Sequence, residues 1–402
     1  MIKREIYLDM IRPFINKPVI KAITGIRRCG KSTLLMQVID ELHENGIKDH
    51  QIIYINKELV KFDGIKNYLD LHGYIKKNLS SDKEKAFVFI DEVQEIEHWE
   101  KAVNSLLAEK KYDIFITGSN ARLLSSELAT LLSGRYVEFS MHTFSYHEFS
   151  LIADSAKILT TEDESFNAFL KYGGFPGLFG MNWDENILLQ YLQAIYSSVL
   201  LKDVVVRYQI RDSAMLENII RFLADNLGNI TAAKNISDFV KSQHRKISVE
   251  TVQNYIHYTI NAMMIKQVQR FDIRGKRILE THEKYFLSDL GLRLVTTPFS
   301  PETLPGQLEN AVLLELLIRG YKVNIGKVYD KEIDFIAQKA NNKMYIQVCT
   351  SLADGKVVDR EYGALEGVND HFPKLVLSLD KGFEASRKGI GWMNIKDFLL
   401  NS

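Results

Sequence analysis

A chain of 402 residues, 46 % of them apolar, is long enough for two or three domains, each with a core of its own. Its 51 Lys and Arg balance 51 Asp and Glu, so no global field directs it to nucleic acid or a membrane surface, although a local patch can still do so. Cys29 and Cys349 are too few for a disulfide framework, and the ten histidines show neither HExxH nor zinc-site spacing. Charges interrupt the N-terminal MIKREIYLDMIRPF, and no apolar run approaches the ~18 residues of a membrane span, so a soluble cytoplasmic protein without a membrane partner is expected.

From Val19 to about His142, β-rich runs alternate with helical ones: VIKAIT, a helix after Lys31, QIIYIN, a helix near 65–79, AFVFID, a helix from Trp99, then DIFITG. That alternation predicts an α/β domain with a mostly parallel sheet. Trp99, Val103, Leu106 and Leu107 form the one-sided stripe of a helix packed on it.

The segment Gly25-Ile26-Arg27-Arg28-Cys29-Gly30-Lys31-Ser32 fits GxxxxGK[ST], with a strand before it and a helix after it. The glycines of such a loop let backbone N–H groups turn inward around phosphate oxygens, and the helix N-terminus adds partial positive charge. Gly25, Arg28, Cys29, Gly30, Lys31, Ser32 and Thr33 are the expected nucleotide-lining residues. Lys31 is suited to reach the β- and γ-phosphates and Ser32 to hold Mg²⁺, making ATP and Mg²⁺ the expected ligands, while Cys29 is better suited to packing.

The run Phe87-Val88-Phe89-Ile90 ends in Asp91-Glu92, two carboxylates at the edge of an open sheet where ligands sit. Asp91 suits the Mg²⁺ shell and Glu92 the polarisation of an attacking water, a pairing that favours hydrolysis. The next strand, Ile114 to Thr117, leads into Gly118-Ser119-Asn120. Ser119 or Asn120 is able to contact the γ-phosphate or the water, and Asn120 equally suits capping of the helix ARLLSSELATLL. Arg135, just past that helix, is a candidate for stabilising transition-state charge, in its own subunit or in a neighbour within a homo-oligomer.

Beyond His142 the chain reads as mainly helical from Tyr146 to Leu227, interrupted by a glycine-rich turn at 173–177. Ile236 to Val240, a polar turn, then Ser248 with Val249, Val252, Ile256 and Ile260 read as helix-turn-helix, with Ser248 a natural N-cap. MIKQVQRF, the turn Arg274-Gly275-Lys276 and RILE supply a β-wing. Between Lys241 and Arg277 eight basic residues, Arg245 among them, face Glu250 and Asp272, a local net charge of +6. Such a patch can neutralise DNA phosphates or serve as a protein-docking face. Pro298, Pro301 and Pro305 mark a boundary, after which a helix (ENAVLLELLIRG), β-type runs, a further helix and KLVLSL read as a small α/β module.

Taken together, GIRRCGKST, FVFIDEVQ, ITGSNARLL, LSGRYVEFSMHTFSYHEF, YGGFPGLF, FLSDLGLR and QLENAVLLELLIRGY with EIDFIA and YIQV resemble the AAA-like P-loop ATPases of bacteria and archaea whose C-terminal half is a domain of unknown function, of the DUF4143 type. The likeness spans nearly the whole chain. It implies a P-loop, AAA-like ATPase core over 1–145, a helical connector over 146–228, a winged-helix-like region over 229–295 and a restriction-endonuclease-like α/β module over 307–402. It places Lys31 and Ser32 at phosphate and Mg²⁺, Asp91 and Glu92 at metal and water, Ser119 or Asn120 as sensor and Arg135 as arginine finger or sensor. At His142-Thr143 the chain departs from the family, which usually has a proline there.

A restriction-type nuclease needs a helix acid, a strand Asp and a Glu-x-Lys triplet that together hold metal and activate water. Glu309 or Glu315 and Asp334 can supply the acids, but the triplet reads Gln347-Val348-Cys349, with Lys356 and Arg360 the nearest substitutes for its ammonium. The expected function is Mg²⁺-dependent ATP hydrolysis acting as a switch or motor on a macromolecule. The alternatives are an ATP-gated DNA-binding module with slow hydrolysis and a metal-dependent nuclease.

Overall fold

Strands that are apolar on both faces need cover on both sides, which a parallel sheet gains from the helices of its own crossovers. A computed structural model describes residues 2–79, 84–119, 132, 134–242, 246–298, 301–382 and 386–401. The chain forms two compact units, residues 1–141 with 261–263 and residues 142–260 with 264–402.

In the first unit, helices α1 (Glu5–Ile11), α2 (Lys31–Glu44), α3 (Tyr68–Lys77) and α4 (Trp99–Ala108) accompany strands β1 (Ile20–Thr24), β2 (Ile52–Asn56), β3 (Ala86–Asp91), β4 (Tyr112–Gly118) and β5 (Tyr136–Ser140). The strands form one parallel sheet in the order β2-β3-β4-β1-β5. Every residue of β1, β3 and β4 is buried, the pattern of a sheet covered on both faces. On one face Ile20, Val88, Ile90, Ile114 and Ile116 pack with Leu71 and Ile75 of α3 and Val103 and Leu106 of α4. Such side chains contribute roughly 1.5–3 kcal/mol each. On the other face Phe89 and Phe115 stack at 4.6 Å, beside a buried Lys21–Asp113 ion pair that joins β1 to β4. Strand β5 was not among the predicted strands: only Phe139 of its five residues is buried, as suits an edge strand. The helix expected after Asn120, and Asn120 itself, lie outside the described residues.

The second unit begins with α5 (Tyr146–Ser155), α6 (Glu162–Tyr172), α7 (Glu185–Ser198) and α8 (Ser213–Asp225). Reciprocal capping boxes, Ser145 with Glu148 and Thr161 with Glu164, start the first two. Then come β6 (Ile230–Thr231), α9 (Ala233–Ser242), α10 (Val249–Asn261), β7 (Ile265–Asp272), β8 (Arg277–Leu287), α11 (Gly291–Thr296) and α12 (Leu304–Ile318). The C-terminal stretch holds β9 (Lys322–Val328), β10 (Lys331–Lys339), β11 (Asn342–Val348), α13 (Gly355–Glu366), β12 (Lys374–Ser378), β13 (Gly391–Asn394) and α14 (Ile395–Leu400).

Among the described residues, the eight strands of this unit share one mixed sheet, ordered β13-β12-β11-β10-β9-β7-β8-β6. The hairpin β7–β8 therefore joins the C-terminal strands directly, through parallel pairing of Arg270 to Asp272 with Ile325 to Lys327. Helix α12 seals one face, placing Leu308, Val312 and Leu316 in a core with Phe335, Ile346 and Leu377.

Three separated sequence segments meet at Asp289, whose carboxylate is fully buried. It accepts N–H bonds from Gly174 and Gly291, both at 2.8 Å, and the hydroxyl bond of Thr143. Gly173 takes the left-handed conformation (φ 74°), and a Cβ there would lie 1.9 Å from Asp289 Oδ1. The glycine-rich turn is thus a seat for a carboxylate. Thr143 adds a hydroxyl to that seat.

Candidate nucleotide site

Because β1, β4 and β3 are parallel neighbours, their C-terminal ends lie side by side, and the groups following them gather on one edge of the sheet. The loop after β1 enters α2 through Gly30 (φ 106°), its N-cap, with Arg28 also left-handed at φ 69°. A Cβ on Gly25 would meet the Met141 carbonyl oxygen at 2.4 Å and Cys29 Sγ at 2.7 Å, so backbone packs directly where a side chain would start. Cys29 is fully buried behind the loop, and burial pushes its thiol up. Arg28 is exposed, and Ser32 and Thr33 are half-buried in the first turn of α2.

Lys31 is buried, its ammonium 3.1 Å from the Gly25 carbonyl oxygen and 3.4 Å from that of Ile26. The same ammonium lies 3.6 Å from Glu92 Oε1. Glu92, directly after β3, is in the left-handed region (φ 56°), a strained setting for a residue with a side chain. That twist aims its N–H at Thr117 Oγ1, 3.0 Å away. Glu92 Oε2 accepts from Ser119 Oγ at 3.1 Å and from the Gln94 amide. Burial alone would raise the Glu92 carboxyl, but Lys31, Gln94, Arg27 and Ser119 together hold it below the usual carboxylate range.

Asp91 is buried beside it, accepting the hydroxyl hydrogens of Thr117 at Oδ1 and Tyr54 at Oδ2, the latter at 3.3 Å. Burial, then the Asp91 charge, push the Tyr54 phenol up to about 12, so it stays a donor. Sequence reasoning passed over Thr117 and Tyr54, because their part depends on β4 lying between β1 and β3 and on β2 flanking β3. It passed over Arg4 as well, whose guanidinium lies 3.5 Å from the Cys29 carbonyl oxygen and whose N–H donates to Gln37 of α2.

The structure therefore brings Gly25, Gly30, Lys31, Asp91, Glu92 and Ser119 together. It does not bring Arg135 to them within the chain. The Arg135 carbonyl accepts the N–H of Ile20 at 2.9 Å, at the start of β1, whereas the loop follows the end of that strand. Five residues of strand put roughly 16 Å between the two edges. A loop of inward-turning backbone at a helix N-terminus, a buried ammonium and an adjoining carboxylate pair form a donor set suited to a polyphosphate and a divalent cation.

Fold and edge together define a P-loop protein of the AAA class. A family model described as an AAA domain matches residues 17–150, and one described as a domain of unknown function (DUF8612) matches residues 163–303. The chain is 38% identical over 400 residues to an uncharacterized protein of Haemophilus influenzae, covering 100% of this chain and 99% of that one. It is 32% identical over 402 residues to the uncharacterized protein MJ1544 of Methanocaldococcus jannaschii, covering 96% and 86%. The chain belongs to this bacterial and archaeal family of AAA-domain proteins carrying a DUF8612 region. Its fold is similar to that of the Walker-type ATPase PABY2304 of Pyrococcus abyssi, with TM-score 0.50 and 16% identity over 73% of this chain and 95% of that one. An AAA domain implies nucleotide binding. Among the described residues, no helix is long and apolar enough to cross a membrane.

Proposed function

We propose that the protein is a Mg²⁺-dependent ATPase whose cycle acts as a switch or motor on a macromolecule. The observation that carries this reading is the convergence of Lys31, Asp91, Glu92 and Ser119 on one sheet edge, with Lys31 Nζ 3.6 Å from Glu92 Oε1. Lys31 is the group that binds β- and γ-phosphate oxygens, and the loop N–H groups at the start of α2 bind the rest of the chain of phosphates. Ser32 and Asp91 would hold Mg²⁺, which supplies neutralisation of phosphate charge when bound. Glu92 orients and polarises the attacking water, with Ser119 fixing its carboxylate. Thr117 and Tyr54 orient Asp91. Arg135, on the far edge of its own sheet, serves a neighbouring subunit if it serves any site at all. Phosphate release from Mg-ATP tests the proposal: wild type should turn over, and Lys31→Ala should show no heat on ATP addition in calorimetry. Equal turnover in Lys31→Ala would refute it.

A second reading, DNA as the macromolecule, rests on the hairpin of the second unit, where α9, α10 and β7–β8 follow in winged-helix order. Asp272 Oδ1 accepts the N–H groups of Arg274 and Gly275, both at 3.1 Å, and Lys276 is left-handed at φ 51°, which makes a tight turn. That turn exposes Arg274, Lys276 and Arg277, with Arg274 stacked 4.3 Å over the Tyr329 ring. Lys241 and Lys246 are exposed too, while Arg245 lies outside the described residues. If the tip grips phosphates, DNA affinity should fall with salt. Replacing Arg274, Lys276 and Arg277 with Ala should then flatten the log–log salt slope by up to about 3, near 0.9 for every phosphate no longer neutralised. Binding that ignores salt, or a slope untouched by the triple replacement, counts against it.

A further inference from the structure

Resemblance to restriction-type nucleases implies a divalent cation in the cleft of the C-terminal sheet, and the side chains that line the cleft do not fit one. The cleft encloses about 620 Å³ between α12, β10, β11, α13 and the middle of β8. Gln347, where the triplet would have Glu, directs its carbonyl oxygen to the Asp334 N–H at 2.6 Å and its amide to Glu361 Oε2 at 2.7 Å. That oxygen already accepts one bond, and a neutral amide is a far weaker metal ligand than the carboxylate it replaces. Asp334 Oδ2 accepts the Val348 N–H at 2.8 Å, and Glu361 Oε1 is held by Arg360. The thiol of Cys349 is pushed up to about 12 by burial and by the charges of Glu361, Asp380 and Asp334, so it offers neither ammonium nor thiolate. Glu315, the other helix acid expected, is instead paired with Arg319 at 2.6 Å.

At the centre stands a residue that no motif announced. Lys284, on β8, places its ammonium 3.0 Å from Glu309 Oε2, 2.7 Å from Glu332 Oε1 and 3.3 Å from Asp334 Oδ1. The side chain is almost wholly buried, and an ammonium has three hydrogens to give to three carboxylates. Burial would lower its pKa, but the three acids outweigh burial and keep it charged. The acids are crowded even so: burial and the Asp334 charge push the Glu309 carboxyl above the usual carboxylate range despite the lysine. Among the described residues, no group of three or more His, Cys, Asp or Glu is placed to hold a metal ion.

We propose that the Lys284 ammonium is the resident cation of this cleft, filling the position a divalent metal would take, so that the module binds no catalytic metal and does not cleave nucleic acid. The cluster instead ties β8 to α12 and β10. Removing the ammonium without removing the acids should turn the cleft into a divalent-cation site, since Glu309, Glu332 and Asp334 would then repel one another unless a metal came between them.

Full-length protein without nucleotide, titrated with Mn²⁺ and followed by calorimetry and thermal unfolding, tests this. Wild type should show no Mn²⁺-dependent rise in Tm and no Mn²⁺-dependent cleavage of DNA or RNA. Lys284→Met, or the milder Lys284→Gln, should have a lowered Tm that Mn²⁺ raises by several degrees, and adding Asp334→Asn should abolish that rise. A folded Lys284 variant that gains no Mn²⁺ binding overturns the proposal. So does Mn²⁺ binding or nucleic-acid cleavage by wild type that is lost on Asp334→Asn, a result readable even if the lysine variants do not fold.

Discussion

Glu92→Gln should hold ATP and fail to release phosphate: calorimetric affinity within a few-fold of wild type, with turnover lower by roughly 10²–10⁴-fold. The substitution keeps the size of the side chain, and the backbone twist at φ 56° with its N–H bond to Thr117 does not depend on the carboxylate. Ser119 Oγ can still donate to the amide oxygen at the position where it now meets Oε2, 3.1 Å away. What is lost is the negative charge, held ionised by Lys31, Gln94, Arg27 and Ser119 against the pull of burial. Binding depends on the loop and Lys31, whereas activation of water depends on that charge, so the two readouts should separate. Turnover equal to wild type would remove the water-activating assignment and leave nucleotide binding intact.

Gly173→Ala should unfold the second unit or come close to it. The new methyl would sit 1.9 Å from Asp289 Oδ1 in a backbone conformation that already disfavours a side chain. Displacing the carboxylate strands the buried N–H groups of Gly174 and Gly291 and the hydroxyl of Thr143, at about 1–3 kcal/mol for each unmet donor. A loss of at least about 4 kcal/mol is expected, read as the midpoint of denaturant unfolding, and an unchanged midpoint would show that the seat is not rigid. Asp289 adds a pH signature. Burial raises its carboxyl to about 6 from an ordinary 3.8, although Thr143, Gly174 and Gly291 pull the other way. The folded protein binds this proton more tightly than the unfolded chain, so its stabilisation is complete below about pH 4. It declines as pH rises through about 6, by about 3 kcal/mol in all. Asp289→Asn should abolish that slope.

Four of the five parallel strands were legible because each is a short, mostly apolar run rich in β-formers, and the phosphate loop because its glycines and lysine lie close together in sequence. Strand β5 was not, since YVEFS alternates and lies at an edge. Thr117 and Tyr54 acquire their partners only through strand order, which adjacent letters do not encode. Arg135 follows an expected helix in sequence, but its own strand, parallel to β1, starts at the opposite edge of the sheet. Asp289 meets Gly174 across 115 positions, and Lys284 meets Asp334 across 50, so neither pairing leaves a local pattern. The gap in Gln347-Val348-Cys349 was visible, whereas the lysine that fills the space came from another part of the same sheet.

Strand β8 runs from the exposed Arg277 to the buried Lys284, and between them its register against β7 shifts, Leu279 facing Arg270 while Lys284 faces Val268. Its inner end is anchored by three carboxylates, and a shift of a single residue along β7 would swing the lysine to the opposite side of the sheet. The hairpin therefore has a pinned root, and the slip in its ladder lies between that root and the exposed basic tip.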